Sequence, residues 1–450
     1  MPVITRGAHR LKRASMWVIG VLVLAAASAL TSCGDGSETE RTAGTTPTPP
    51  PSEPSHLARA DSAVSFTRGT LVEGEPDISA PTTLAFGPDG RLYVGQLDGA
   101  VIAFTLDAME VVKRDVIAEP DVLQNVLGIA FSPTDPPAPV TIYVSHSEVL
   151  AGPEGAPFSG TVSKLDAPRY EPVEIITGLP TSSAEHATNG IAFDSDGRLY
   201  IAQGGMTNAG RTSDRFPRPE TPLSGAILLA DVEDSEFDGA IVYDPPDAPT
   251  EDTELVHGDV RVFASGLRNP YDLLFHSNGM IYATDNGPNE PDGARSMSCT
   301  SAGAGSSGPD ELNLIVEGAY YGHPNRNRGR SMAEECVYES GDAPSRIATP
   351  PIATLGYFVS ANGMAEYKAD SFGGRLRGNM IYVEWASGRI WRVVFSADGT
   401  EVVAISRLVP DVLRQPIDVA VGPDGTVFVA ELDAGRITYF MPDSGSTETN

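Results

Sequence analysis

Six times along this chain an apolar run enters a turn rich in Pro, Asp, Asn and Gly and leaves it as a second apolar run. Each second run ends in small or polar residues. The copies are LAFGPDGRLYVGQ from Leu84, IAFSPTDPPAPVTIYVSH from Ile129, IAFDSDGRLYIAQGG from Ile191, LFHSNGMIYATDNG from Leu274, MAEYKADSFGGRLRGNMIYVEW from Met364 and VAVGPDGTVFVAEL from Val419. Asp-Gly and Asn-Gly pairs tolerate the left-handed backbone of a tight hairpin, and between alternating apolar runs they are a strong local hairpin signal. Six such units, roughly 45 to 90 residues apart, predict an all-β six-bladed β-propeller spanning residues 61–442. In that architecture the innermost strand of each blade faces a central channel. The residues entering those strands then gather on one rim: Pro81, Leu127, His186 to Asn189, Arg268 to Asp272, Ala361 to Asn362, and Arg414 to Asp418.

The ends of the chain read differently. Residues 1–32 have a basic start (Arg6, Arg10, Lys12, Arg13) and an apolar run from Met16 to Leu30, as a secretory leader does. Leu30-Thr31-Ser32-Cys33 resembles the bacterial lipobox, in which the cysteine is acylated and becomes the first residue. The expectation is an exported protein that meets the membrane only through the lipid on Cys33. Residues 33–60, rich in Thr, Pro, Ser and Glu, are expected to form a disordered spacer, and 443–450 a disordered tail. The net charge of −29 becomes about −33 once the leader's four basic residues are removed. So acidic a body repels phosphate backbones, which excludes nucleic acid as a partner. Cys299 and Cys336 remain as an even pair in an oxidising compartment and are expected to form a disulfide.

The rim carries recognisable motifs: His186 in EHATNGIAF, then GLRNP from Gly266, NGP from Asn286, and DELNLI through YYGHPN from Asp310 to Asn325. In this order they resemble the glucose/sorbosone dehydrogenase family, the soluble pyrroloquinoline-quinone sugar dehydrogenases, over roughly residues 81–440. The resemblance implies an oxidoreductase acting on a sugar hydroxyl, with His186 as the base. It implies that Arg268 and Asn269 bind the quinone and the substrate oxygen. It also implies calcium held by the Gly287 and Pro288 carbonyls with Asp310 and Glu311. The chemistry is apt, since neutral imidazole is a base near neutral pH and a cation beside a quinone oxygen stabilises the charge developing on it. Calcium prefers hard oxygen ligands.

Departures from the family pattern are specific. Two glycines after the histidine are Thr188 and Asn189 here, and the acidic partner of the histidine is replaced by Gly204-Gly205. A family lysine falls at Ala226, a quinone-binding lysine at Ala386, and two arginines at Gln415 and Ile417. Three missing cations opposite a tricarboxylate predict weak quinone binding. Two other readings are therefore open on the same fold. One is a carbohydrate- or protein-binding propeller without catalysis. The other is a calcium-dependent hydrolase of the lactonase kind, with Glu75, Asn189, Asp272, Asn362 and Asp418 around the ion.

Overall fold

A computed structural model describes residues 51–149, 152, 155–250, 252–289, 296–298, 301–302, 307–323 and 348–443. The leader, Cys33, Cys299 and Cys336 lie outside the described residues, so the anchor and the disulfide stay as expectations. Among the described residues there is no α-helix, and no helix long and apolar enough to cross a membrane.

The six repeats become six four-stranded antiparallel sheets. Their first strands are Pro81–Phe86, Asn125–Ala130, Thr188–Phe193, Pro270–Phe275, Ala361–Tyr367 and Pro416–Val421. Each packs against the next and the last against the first, so they close a ring around an axis. The fold is the expected six-bladed propeller. Alternation along each strand sends one set of side chains toward each neighbouring blade, and the core therefore lies in the clefts between blades. Tyr282, Leu312, Met364, Trp391 and Ile405 fill the cleft between the fourth and fifth blades.

Two strands distant in sequence close the ring. Phe66–Glu73 pairs antiparallel with Arg436–Pro442 as the outermost strand of the sixth blade. Blade neighbours are also joined by buried polar bonds. Ser145 Oγ donates to the Asn189 carbonyl at 2.6 Å, Asn189 Nδ2 to the Pro270 carbonyl at 2.8 Å, and Thr284 Oγ1 to the Asn362 carbonyl at 2.8 Å.

The spacer ends earlier than the composition suggests. Ser52 N and Ser55 N donate to the carbonyls of Tyr357 and Thr354, Ala58 N donates to Ile405, and Glu53 pairs with Arg389 at 2.7 Å. Polar composition marks a segment unable to build its own core, but it does not prevent the segment from docking its backbone on an existing one.

Candidate functional site

A recurring polar residue builds the rim. In register opposite the start of each inner strand stands the last residue of the second strand: Gln96, Ser147, Gln203, Asp285, Glu384 or Glu431. All six are buried. Several hold the backbone of the loop entering the inner strand, as Gln96 does by accepting from Ser79 N and Glu431 by accepting from Arg414 N at 2.7 Å. Each inner strand then breaks register within its first residues, the irregularity that re-aims side chains at a barrel or propeller rim.

On the third and fourth blades this frame gathers His186, Arg268 and Asn269. Asp285 accepts the backbone N–H groups of Arg268 (3.0 Å) and Asn269 (2.8 Å), which fixes both residues. The Arg268 guanidinium is buried and donates to the Asn208 carbonyl at 3.0 Å, to Asn208 Oδ1 at 2.7 Å and to the Asn286 carbonyl at 3.1 Å. Asn269 Oδ1 accepts from Asn189 Nδ2 at 2.9 Å. Asn189, a departure from the family pattern, thus locks the Asn269 amide and cross-links two blades.

His186 is fully buried. Its Nδ1 lies 2.9 Å from the Gly205 carbonyl. A carbonyl only accepts, so Nδ1 carries the proton and Nε2 presents its lone pair. Nε2 has no hydrogen-bond partner among the described residues. Burial, with the Arg268 charge next, holds this imidazole well below its ordinary range and keeps it neutral. The Phe216 ring lies against it, 5.0 Å between centroids, on a loop tied down by Ser183 Oγ to the Arg215 carbonyl at 2.9 Å.

Where sequence comparison sees a missing carboxylate, the structure has a main-chain carbonyl orienting the histidine. The two glycines there are required by space. A Cβ on Gly204 would lie 2.8 Å from both the His186 Cβ and Asn269 Oδ1, and one on Gly205 would lie 3.0 Å from the Arg268 carbonyl oxygen.

The four expected calcium residues divide. Asp310 accepts backbone N–H groups on both carboxylate oxygens, from Gly287 (2.9 Å) and Ala361 (2.8 Å), and so shapes the loop. The Pro288 carbonyl accepts from Gly308 N at 2.8 Å. Glu311 is different. Its carboxyl is pushed up to about 8 by burial and by the neighbouring Asp285 charge. Beside it, Asn313 Oδ1 is buried without a partner among the described residues. Among those residues no group of three or more His, Cys, Asp or Glu is arranged to hold a metal.

The expected hydrolase ring does not assemble. Glu75 is exposed in the turn before the first blade. Asp272 and Asp418 do face the axial cavity of about 150 Å³, together with Thr83, Gly128, Gly190 and Met364. Their oxygens, however, accept the N–H groups of Leu273 and Met364, and of Leu84 and Val419, at 2.7 to 2.9 Å. They staple neighbouring blades. Burial pushes the Asp272 carboxyl up to about 7.

Among the described residues, the three positions where the resemblance expects cations for the quinone's carboxylates carry none. Ala386 is exposed, Gln415 is half-buried and Ile417 is packed in the core with Tyr271 and Phe428. Arg389 pairs outward with Glu53, and Arg414 with Asp433 at 3.1 Å.

Comparison with known proteins fits this picture. The family model described as glucose/sorbosone dehydrogenase matches residues 78–438. Quinoprotein glucose dehydrogenase B of Acinetobacter calcoaceticus is 24% identical over 301 residues, 61% of this chain and 55% of that protein. The match thus spans about half the length of that relative. Among solved structures, the soluble aldose sugar dehydrogenase of Escherichia coli in its apo-form shares 17% identity with a TM-score of 0.57, over 84% of this chain and 100% of that one. The PQQ-bound aldose sugar dehydrogenase of Streptomyces coelicolor shares 18% with a TM-score of 0.54, over 84% and 99%.

Proposed function

Because the chain belongs to the glucose/sorbosone dehydrogenase family, we propose that it is an oxidoreductase that oxidises a sugar hydroxyl to a carbonyl, with His186 as the base. The observation that carries this reading is the unpartnered Nε2 of a neutral, buried imidazole, set beside Arg268 and Asn269. Nε2 accepts the proton of the hydroxyl while the carbon beneath it gives up a hydride. In this reading Arg268 would stabilise the negative charge that develops on an acceptor oxygen. When bound, pyrroloquinoline quinone supplies the two-electron acceptor.

Among the described residues, His186, Arg268 and Asn269 suit the reacting end of that quinone, and Ala386, Gln415 and Ile417 supply no charge for its carboxylate end. Each absent charge-assisted contact is worth roughly 1.5 to 3 kcal/mol. Three of them raise the dissociation constant by several orders of magnitude, at about 1.4 kcal/mol per factor of ten. Dye reduction with aldoses, titrated against quinone in the presence of calcium, is therefore expected to be slight at micromolar quinone and to rise well above it. Ala386→Lys, at an exposed position, should shift the half-saturation downward. Turnover that saturates at nanomolar quinone would overturn the weak-binding reading. Turnover absent at every quinone concentration would favour the binding module. Calcium fits best at Glu311, where a hard cation would relieve the crowding with Asp285 and give Asn313 Oδ1 a partner.

We further propose that the enzyme works outside the cytoplasm, held by lipid on Cys33. Cys33→Ser is expected to lose fatty-acid labelling and move to the aqueous phase on detergent partition. A variant that stays with membranes would remove the anchor.

A further inference from the structure

Glu220 lies 34 residues along the chain from His186 and is buried beneath the loop that orients it. Among the interactions of its carboxylate are hydrogen bonds accepted from Met206 N at 2.9 Å, Thr207 N at 3.1 Å, Thr207 Oγ1 at 2.7 Å and Ser224 Oγ at 2.6 Å. Met206 and Thr207 directly follow Gly205, whose carbonyl holds His186 Nδ1. Gly205 N in turn donates to the Arg268 carbonyl at 2.7 Å. The direction of the Gly205 carbonyl is therefore set from both sides, by Arg268 through its backbone and by Glu220 through the next two residues.

A second observation concerns space. A Cβ added to Gly205 would lie 3.0 Å from Glu220 Oε1. A side chain at residue 205 would crowd the Glu220 carboxylate, which occupies this corner. Among the described residues, the Arg268 and His323 charges act on His186 against protonation and the Glu220 charge acts in its favour. His323 Nε2 lies 3.9 Å from Glu220 Oε1. A carboxylate with four donors is a strong, charge-assisted anchor that a neutral side chain cannot reproduce.

We propose that Glu220 is the positioning residue for His186, holding the Gly205 carbonyl that fixes the Nδ1–H tautomer and providing the negative charge that offsets the imidazolium formed in the reaction. The part about catalysis rests on the dehydrogenase reading above. The part about the tautomer does not.

The test has two independent readouts. In apo-protein labelled with ¹⁵N-histidine, His186, assigned by its loss in His186→Asn, should show a single Nδ1–H tautomer. Glu220→Gln preserves volume, and Glu220→Ala removes these four acceptor contacts. Both should convert His186 to a mixture containing the Nε2–H form, whereas Glu220→Asp, which keeps the charge, should restore part of the original signal. In turnover, Glu220→Gln should lower kcat by about 10- to 100-fold with sugar KM changed less than about threefold, against a general-base contribution of 10² to 10⁴. An unchanged His186 spectrum in the folded Glu220→Gln protein overturns the proposal. A changed spectrum in a protein whose wild type oxidises no aldose leaves the positioning role standing and overturns the dehydrogenase reading instead.

Discussion

His186→Ala is expected to lower kcat for aldose oxidation by about 10² to 10⁴-fold, the usual worth of a positioned general base. The sugar KM should change little, because Nε2 contacts only the proton being removed. The same residue sets the pH profile. A base acts when unprotonated, and burial beside Arg268 lowers the His186 pKa well below 6.5. Loss of rate on acidification should therefore begin well below the ordinary imidazole range, not at it. Removing Arg268's charge with Arg268→Met should move that limb back toward higher pH in whatever activity remains. If His186→Ala keeps wild-type turnover with the same acid limb, another group is the base and the assignment fails.

Asp285→Ala should be the most damaging substitution to structure and site together. It strips the partner from two buried backbone N–H groups, those of Arg268 and Asn269, at 3.0 and 2.8 Å. Hydrogen bonds to a charged acceptor contribute roughly 1.5 to 3 kcal/mol each, so the loss is about 3 to 6 kcal/mol. A lower urea midpoint with an unchanged slope would report it. Asp285→Asn keeps one acceptor oxygen and should fall between the two. Turnover should drop in step, since both residues proposed to bind the quinone depend on this carboxylate. Equal midpoints for wild type and Asp285→Ala would show that the loop is held elsewhere.

The blades were legible because each hairpin is a local event. Alternating apolar residues around Asp-Gly or Asn-Gly specify two strands and their turn without reference to the rest of the chain. The closure of the ring was not legible. Phe66–Glu73 finds its partner some 370 residues away, and nothing within the segment itself names Arg436–Pro442. At the site, the side chains proposed to carry chemistry stood out from the sequence: His186, Arg268 and Asn269. Residues that act through the backbone did not. Asp285, Glu220 and Asn208 serve main-chain donors or the Arg268 fork, and main-chain groups leave no trace in residue identity. The polar residue ending every second strand was the available signal for Asp285. The same blind spot covers Asp310, Asp272 and Asp418, whose oxygens accept backbone N–H groups across the blades.

The way the ring closes bears on how the molecule is made. Residues 66–73 leave the ribosome among the first of the folded body, and their partner, 436–442, among the last. Until then the sixth blade lacks Arg436–Pro442, Phe66–Glu73 has no partner in it, and the ring stays open. Long-range pairing of this kind is slow and exposes the intermediate to aggregation. A premature stop that removes only the last fifteen residues would delete Arg436–Pro442 while leaving every residue of the His186 site intact. Such a truncated protein would be recovered in inclusion bodies, not as a weakened enzyme.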